Sequence, residues 1–177
     1  MAALAKHYQM TGNQESLEMA RKILRFVMKP ALWEKNFDEA RYPGYEHAIW
    51  SGHFHNGTQA LHGLLDVALA TQDDRLKRFV RDGYDQIMHN AVIRMGWMPA
   101  WAEPEKYNRE GWLGGIPEPC AQADMIGIAI RLSDAGLGDY WDDVDCIVRN
   151  HFIEQHVTDN NLMRRFGGVE PGSDADA

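Results

Sequence analysis

The sequence predicts an all-α fold built from about three helical hairpins stacked side by side. One unit occurs three times in the 177 residues, starting at Leu4, Leu64 and Ile128. Each copy has two stretches of helical periodicity separated by a tight turn, and the copies recur about every 60 residues. Such self-similarity is typical of repeat architectures, in which each hairpin buries its apolar face against its neighbours.

The apolar spacing indicates a helix in both halves of each copy, because apolar residues recur at i, i+3, i+4 and i+7. The six predicted helices cover residues 1–10, 15–28, 58–71, 73–95, 120–135 and 139–157. Pro30 cannot continue a helix and stops the second one. No segment outside the hairpins alternates as a β-strand would. We expect the helices near 58–71 and 120–135 to line a concave side, with their partners outside.

The connections between these helices differ in length. Turns within a hairpin are short, whereas the links between hairpins, residues 30–57 and 96–119, are long. All long links therefore lie on one rim. Because long loops without periodicity are usually functional, we expect chemistry or binding at the rim where the helices near Thr58 and Cys120 begin.

Composition bounds the class of protein. A hydrophobic content of 45% can form a core, and neither a signal peptide nor an apolar span of about 18 residues is recognisable, which favours a soluble, cytoplasmic protein. A net charge of −8 without a Lys/Arg cluster argues against nucleic-acid and membrane partners. The two cysteines, Cys120 and Cys146, cannot form a disulfide framework.

The two long rim loops are rich in aromatic, histidine and carboxylate side chains. They include Tyr42, Tyr45, His47, Trp50, His53, Phe54 and His55, then Trp97, Trp101, Glu103, Glu105, Tyr107, Glu110, Trp112 and Glu118. Aromatic rings suit the C–H faces of a sugar, and His and Glu supply hydrogen bonds and proton transfer. The density of the set predicts a carbohydrate site. The alternative is that the rings only seal the loops against the helical core.

Two short motifs precede helices at equivalent places in successive repeats. The first is H-F-H-N-G-T-Q from His53, and the second is E-P-C-A from Glu118. If the first stretch is extended, His53 and His55 point the same way and could contact a substrate or a metal. Glu118 and Cys120 are both accepted zinc ligands. Alternatively, a histidine caps the helix or packs under the loop, Glu118 is a capping carboxylate and Cys120 a buried thiol.

These motifs resemble those of the β-L-arabinofuranosidase-like glycosidases, a family of six-hairpin (α/α) toroids. E-P-C-A, the later D-Y-W-D-D-V and Asn150 resemble the family's E-T-C-A helix and the helix that follows it, and H-N-G-T-Q resembles its H-A-N-T-Q. The resemblance covers residues 52–156. It implies a toroid with sugar bound at the rim, a histidine that contacts the sugar, and a zinc ion that holds a cysteine nucleophile.

Residue by residue, the resemblance implies that Glu118 and Cys120 are zinc ligands and that His55 contacts sugar. It also implies a general acid/base in the loop before Glu118, for which Glu103 is our choice by its distance from Glu118. His53, Trp101 and Trp112 are the further candidates for substrate binding. The family's downstream Cys-Cys pair, which completes the zinc site and supplies the nucleophile, has no counterpart here. We therefore expect weak or no stoichiometric zinc and no glycosidase turnover.

Length suggests that the chain is part of a larger toroid. Six hairpins of this size need roughly 350 residues, so we expect residues 1–165 to form a partial helical domain, with 166–177 as an acidic, Gly-rich tail or the start of another loop. A short relative that covers its open hairpin faces by self-association is the alternative. Two other functions stay open: a sugar epimerase or unsaturated-uronide hydrolase without zinc, and a non-catalytic binding module.

Overall fold

The computed structural model describes residues 1–28, 54–90, 96–98, 118–156, 158–159 and 161. Within these residues the chain is helical and has no β-strand, which confirms the predicted all-α class. Six α-helices are present in this part of the chain: α1 (Ala2–Thr11), α2 (Gln14–Val27), α3 (Phe54–Thr71), α4 (Asp74–Asn90), α5 (Pro119–Asp134) and α6 (Trp141–Ile147).

The three predicted hairpins are α1–α2, α3–α4 and α5–α6, and short polar turns close them. Gly12 ends α1 in the left-handed region at φ 73°, and Asn13 caps α2 by accepting a hydrogen bond from the Ser16 amide. Asp73 caps α4 in the same way through the amides of Arg75 and Leu76, both at 3.0 Å. Each cap satisfies helix-end groups that would otherwise lack partners.

The first helices of the hairpins pack in a row, because α1 contacts α3 and α3 contacts α5. Near their N-terminal ends α3 and α5 are joined by His55 and Asp124, and further toward their C-terminal ends by Asp66 and Arg131. The two helices are therefore parallel, and their N-terminal ends lie together. Their apolar sides form much of the core, in which Leu61, Leu64, Leu65, Met125, Ile128 and Leu132 are fully buried. Closure of the row into a toroid remains a prediction.

Two predicted boundaries need correction. The helix was predicted to begin at Thr58, but α3 already begins at Phe54, so His55 lies in its first turn. The Phe54 ring is 3% exposed, and its burial extends the helix through Asn56 and Gly57, which have low helix propensity. The helix predicted over 139–157 is α only to Ile147. It continues as a π turn, Val148–Phe152, and a 3-10 turn, Ile153–Gln155.

A short segment, residues 96–98, is packed beside the start of α5. Gly96 has φ 70°, and a Cβ there would lie 2.5 Å from the Ile147 Cα, so only glycine fits against α6. Its carbonyl accepts a hydrogen bond from the buried Gln122 side chain at 3.0 Å, and the Glu118 amide donates to the Met98 carbonyl at 3.4 Å. Residues 98 and 118 are thereby held together at the first turn of α5.

Among the described helices, none combines the length and the apolar character needed to span a bilayer.

Candidate functional site

The N-terminal ends of α3 and α5 bring three polar side chains together, His55, Thr58 and Asp124, which we call the rim cluster. His55 Nδ1 lies 2.8 Å from Asp124 Oδ2, and Thr58 Oγ1 lies 2.7 Å from the same carboxylate oxygen. Thr58 Oγ1 also lies 3.0 Å from the His55 carbonyl in its own helix. The single hydroxyl proton has two acceptors in reach, and the carboxylate is the closer.

The rim cluster is partly open to solvent. The side chains of His55 and Asp124 are 21% and 16% exposed, while Thr58 is fully buried beneath them. An imidazole held by a carboxylate and still accessible from outside is an arrangement suited to hydrogen bonding or proton transfer with a bound molecule.

Glu118 and Cys120 lie together at the start of the same helix α5. Glu118 occupies the N-cap position with extended backbone, and Pro119 follows at the first helical position, where its missing N–H costs nothing. The Glu118 side chain makes no capping hydrogen bond. Its carboxylate instead accepts from the Cys120 thiol. Burial raises the pKa of that thiol, and the hydrogen bond and negative charge of Glu118 raise it further.

A second polar group, the distal cluster, occupies the other half of the α3–α5 interface and consists of His62, Asp66 and Arg131. Asp66 is fully buried and forms an ion pair with Arg131, whose side chain is 23% exposed. The His62 ring lies over Gly127, where a Cβ would come within 3.6 Å of it. Burial, and then the positive charge of Arg131, lower the pKa of His62.

A third network lies on the opposite side of α5, facing the π turn. The Gln122 amide joins the Gly96 carbonyl to the His151 ring, and Gln155 donates to the same ring nitrogen at 2.8 Å. Burial lowers the pKa of His151. This network ties residues 96–98 to α5 and to the end of the α6 segment, and so fixes the base from which the long rim loop departs.

No protein-family model, curated protein or solved structure matches this chain.

Of the residues predicted for the site, the structure describes His55, Glu118 and Cys120, all in the first turns of α3 and α5. His53, Trp101, Glu103 and Trp112 lie outside the described residues, so their placement stays a prediction. The Nδ1 atom of His55 reaches across to Asp124 on α5.

Sequence reasoning missed Asp124 and gave Thr58 no role. One feature of the sequence could have revealed them. Within the largely apolar α3, His55, Thr58, His62 and Asp66 recur at helical spacing and form one polar stripe. A polar stripe on a helix that is apolar elsewhere requires polar partners on the facing helix. Asp124 and Arg131, seven residues apart on α5, provide them.

The described residues do not complete a zinc site. Within that part of the chain no group of three or more His, Cys, Asp or Glu side chains is placed to hold a metal ion. Glu118 and Cys120 are suitable donors by chemistry, but they number two where zinc takes three or four protein ligands.

Proposed function

We propose that this chain is part of a carbohydrate-active helical-hairpin domain, related in function to the β-L-arabinofuranosidase-like glycosidases, and that it binds sugar at the rim where α3 and α5 begin. The observation that carries the proposal is the pairing of His55 with Asp124 at 2.8 Å. It links the H-N-G-T-Q motif on α3 to the neighbouring parallel helix α5, which begins with the E-P-C-A motif.

The rim residues have separable roles in this proposal. His55 supplies a hydrogen-bonding nitrogen to a sugar hydroxyl, with Asp124 and Thr58 behind it. Glu118 and Cys120 lie at the same end of α5. Glu103 remains the proposed acid/base, and Trp101 and Trp112 the proposed stacking partners, on the grounds of sequence alone. We propose no step through zinc in this chain, because the family's downstream Cys-Cys pair has no counterpart in its sequence.

A second candidate is metal-free acid–base chemistry on a sugar, as in an epimerase or an unsaturated-uronide hydrolase. The arrangement at Cys120 favours it, because a thiol that donates to Glu118 and has a raised pKa is a poor nucleophile without a metal. A histidine oriented by a carboxylate, in contrast, suits proton transfer near neutral pH.

Sugar binding tests the proposal directly. We expect saturation-transfer-difference NMR of the full chain to detect L-arabinose, methyl β-L-arabinofuranoside or a uronic acid with a Kd of about 1–10 mM, which corresponds to a binding free energy of about −4 to −3 kcal/mol. His55→Ala should abolish the saturation transfer to the sugar. His7→Ala is the matched control, because His7 also makes an Nδ1 hydrogen bond, to Ser16, but on the exposed side of α1. Absence of transfer from every sugar, or equal transfer in His55→Ala, would remove the proposal.

Metal content separates the two candidates. Elemental analysis of protein purified without added metal should give well under one zinc per chain. One tightly held zinc per chain that is lost in Cys120→Ala would show that residues outside those described complete the site, and would favour the cysteine-dependent glycosidase chemistry.

A further inference from the structure

We propose that Asp124, assisted by Thr58, is a positioning residue that holds the imidazole of His55 in the tautomer with its proton on Nδ1. This inference deepens the proposed function and rests on it for the identity of the ligand, a sugar hydroxyl. The tautomer itself is inferred from the hydrogen bond between His55 and Asp124.

The Asp124 carboxylate, as the acceptor, determines which ring nitrogen of His55 carries the proton. An ionised carboxylate has no proton to donate, so a hydrogen bond of 2.8 Å between Asp124 Oδ2 and His55 Nδ1 places the proton on Nδ1. In the neutral ring Nε2 then carries the lone pair. A sugar hydroxyl can donate to that nitrogen, whereas the opposite tautomer would present an N–H there and reverse the hydrogen-bond polarity.

Thr58 orients the Asp124 carboxylate, and the carboxylate in turn orients the His55 ring. Its hydroxyl lies 2.7 Å from the same oxygen that accepts from the ring, so two donors from α3 converge on one atom of α5. Thr58 is fully buried, and a buried hydrogen bond to a charged acceptor contributes more than a neutral one. The Asp124 carboxylate oxygen therefore has two donors from α3 within hydrogen-bond distance, which restricts rotation of the carboxylate.

The helix packing around the pair makes it rigid. Asp124 lies between Ala121, Met125 and Ile128 along α5, and these three side chains are fully buried. Leu61 anchors the matching turn of α3, and it too is fully buried. Because functional side chains on packed helices are held more closely than those on loops, a His–Asp pair that bridges two such helices is suited to presenting one ring nitrogen in a fixed direction.

A purely structural role is the competing explanation, in which the pair only joins α3 to α5. The two explanations differ in one observable, the protonation pattern of the ring. If Asp124 sets that pattern, its removal changes which nitrogen of His55 carries the proton even while the helices remain packed. If it only joins the helices, removal costs stability and leaves the preferred tautomer as it was.

Long-range 1H–15N correlation spectra of the full chain, labelled with 15N-histidine at pH 8, decide between them, and the spectrum of His55→Gln assigns the His55 signals. We expect the Nδ1–H pattern in the parent protein and a shift toward Nε2–H in Asp124→Ala. Thr58→Val should keep the Nδ1–H pattern, because the carboxylate remains. Sugar affinity should fall at least about tenfold in Asp124→Ala and about threefold in Thr58→Val, in line with loss of one charged hydrogen bond.

An Nε2–H pattern in the parent protein, or an unchanged pattern in Asp124→Ala, would overturn the inference. Should Asp124→Ala not fold, Asp124→Leu, which keeps the branched shape of the side chain and removes the acceptor, replaces it with the same expected shift. A shifted tautomer without sugar binding in any variant would support the positioning role and reject the proposed function, so the two failures are distinguishable.

Discussion

The two halves of the α3–α5 interface carry similar side chains in different surroundings. In the rim cluster a carboxylate, Asp124, is 16% exposed and pairs with His55, while in the distal cluster Asp66 is fully buried and pairs with Arg131. Each half also contains a histidine from α3. One histidine makes a hydrogen bond to its carboxylate, and the other, His62, is held among apolar and charged groups by burial.

This difference in burial suits the distal cluster to a structural role and the rim cluster to a functional one, along the same pair of helices. A fully buried carboxylate is costly to leave unpaired, so Asp66 and Arg131 fix which residues of α3 and α5 face one another. A partly exposed carboxylate loses less hydration free energy on folding, and it can orient a side chain that is still accessible to solvent. The distal cluster sets the register of the two helices, and that register brings His55 opposite Asp124.

The largest expected effect is on the distal ion pair. Arg131→Met should lower the free energy of unfolding by about 3 kcal/mol, because it leaves the buried Asp66 carboxylate without its cation. Urea unfolding followed by circular dichroism measures the change. The matched control is Arg149→Met, whose ion pair with Asp145 on α6 is exposed and should be worth less than about 0.5 kcal/mol. Equal losses in the two variants would show that burial does not distinguish the pairs.

The distal histidine should give the protein a pH-dependent stability. Burial and Arg131 lower the pKa of His62, with Asp66 and Asp124 opposing and Lys6 adding to the shift. The unfolded chain therefore binds a proton that the native ring excludes, and stability falls as the pH drops below the ordinary histidine value of about 6.5. One proton gives a slope of at most about 1.4 kcal/mol per pH unit.

Unfolding curves between pH 7.5 and 5 test this expectation. His62→Gln should flatten the slope, and His151→Gln should remove a further part, since burial lowers the pKa of His151 as well. If the double variant His62→Gln, His151→Gln keeps the slope of stability against pH, that slope arises from other groups.

The buried threonine of the rim cluster should have a smaller effect. Thr58→Val keeps the shape of the side chain and removes the hydroxyl that donates to Asp124, for an expected loss of about 1 kcal/mol. Thr71→Val is its control on the same helix, because the Thr71 hydroxyl bonds only the Val67 carbonyl in its own helix. Thermal unfolding of the two variants should place Thr58→Val lower, and the reverse order would contradict a bridging role for Thr58.

Much of the fold could be predicted from the sequence because its determinants are local. Helical spacing of apolar residues and the polar turns at Gly12, Asp73 and Gly136 define the hairpins without reference to distant contacts. The start of α3 could not be placed in this way. It depends on burial of Phe54 in the assembled core, which outweighs the weak helix propensity of Asn56 and Gly57.

The site was predictable only in part. The motifs that contain His55, Glu118 and Cys120 lie at the starts of two helices that are neighbours in the structure. Asp124 was missed because the polar stripe on α3 indicates only that polar partners lie on the facing helix, and which residues these are depends on the register of α3 against α5. That register is set by the buried Asp66–Arg131 pair, 65 residues apart in the chain, which no local pattern reveals.

One paired measurement tests most directly whether the two halves have different roles. Sugar titrations at pH 7.5 followed by saturation-transfer-difference NMR, with urea unfolding of the same variants between pH 7.5 and 5, compare His55→Gln with His62→Gln. We predict that His55→Gln loses at least about tenfold in sugar affinity, whereas His62→Gln keeps the parent affinity and loses part of the pH-dependent stability. Equal sugar affinity in the two variants, or loss of binding only in His62→Gln, would contradict the assignment of function to the rim.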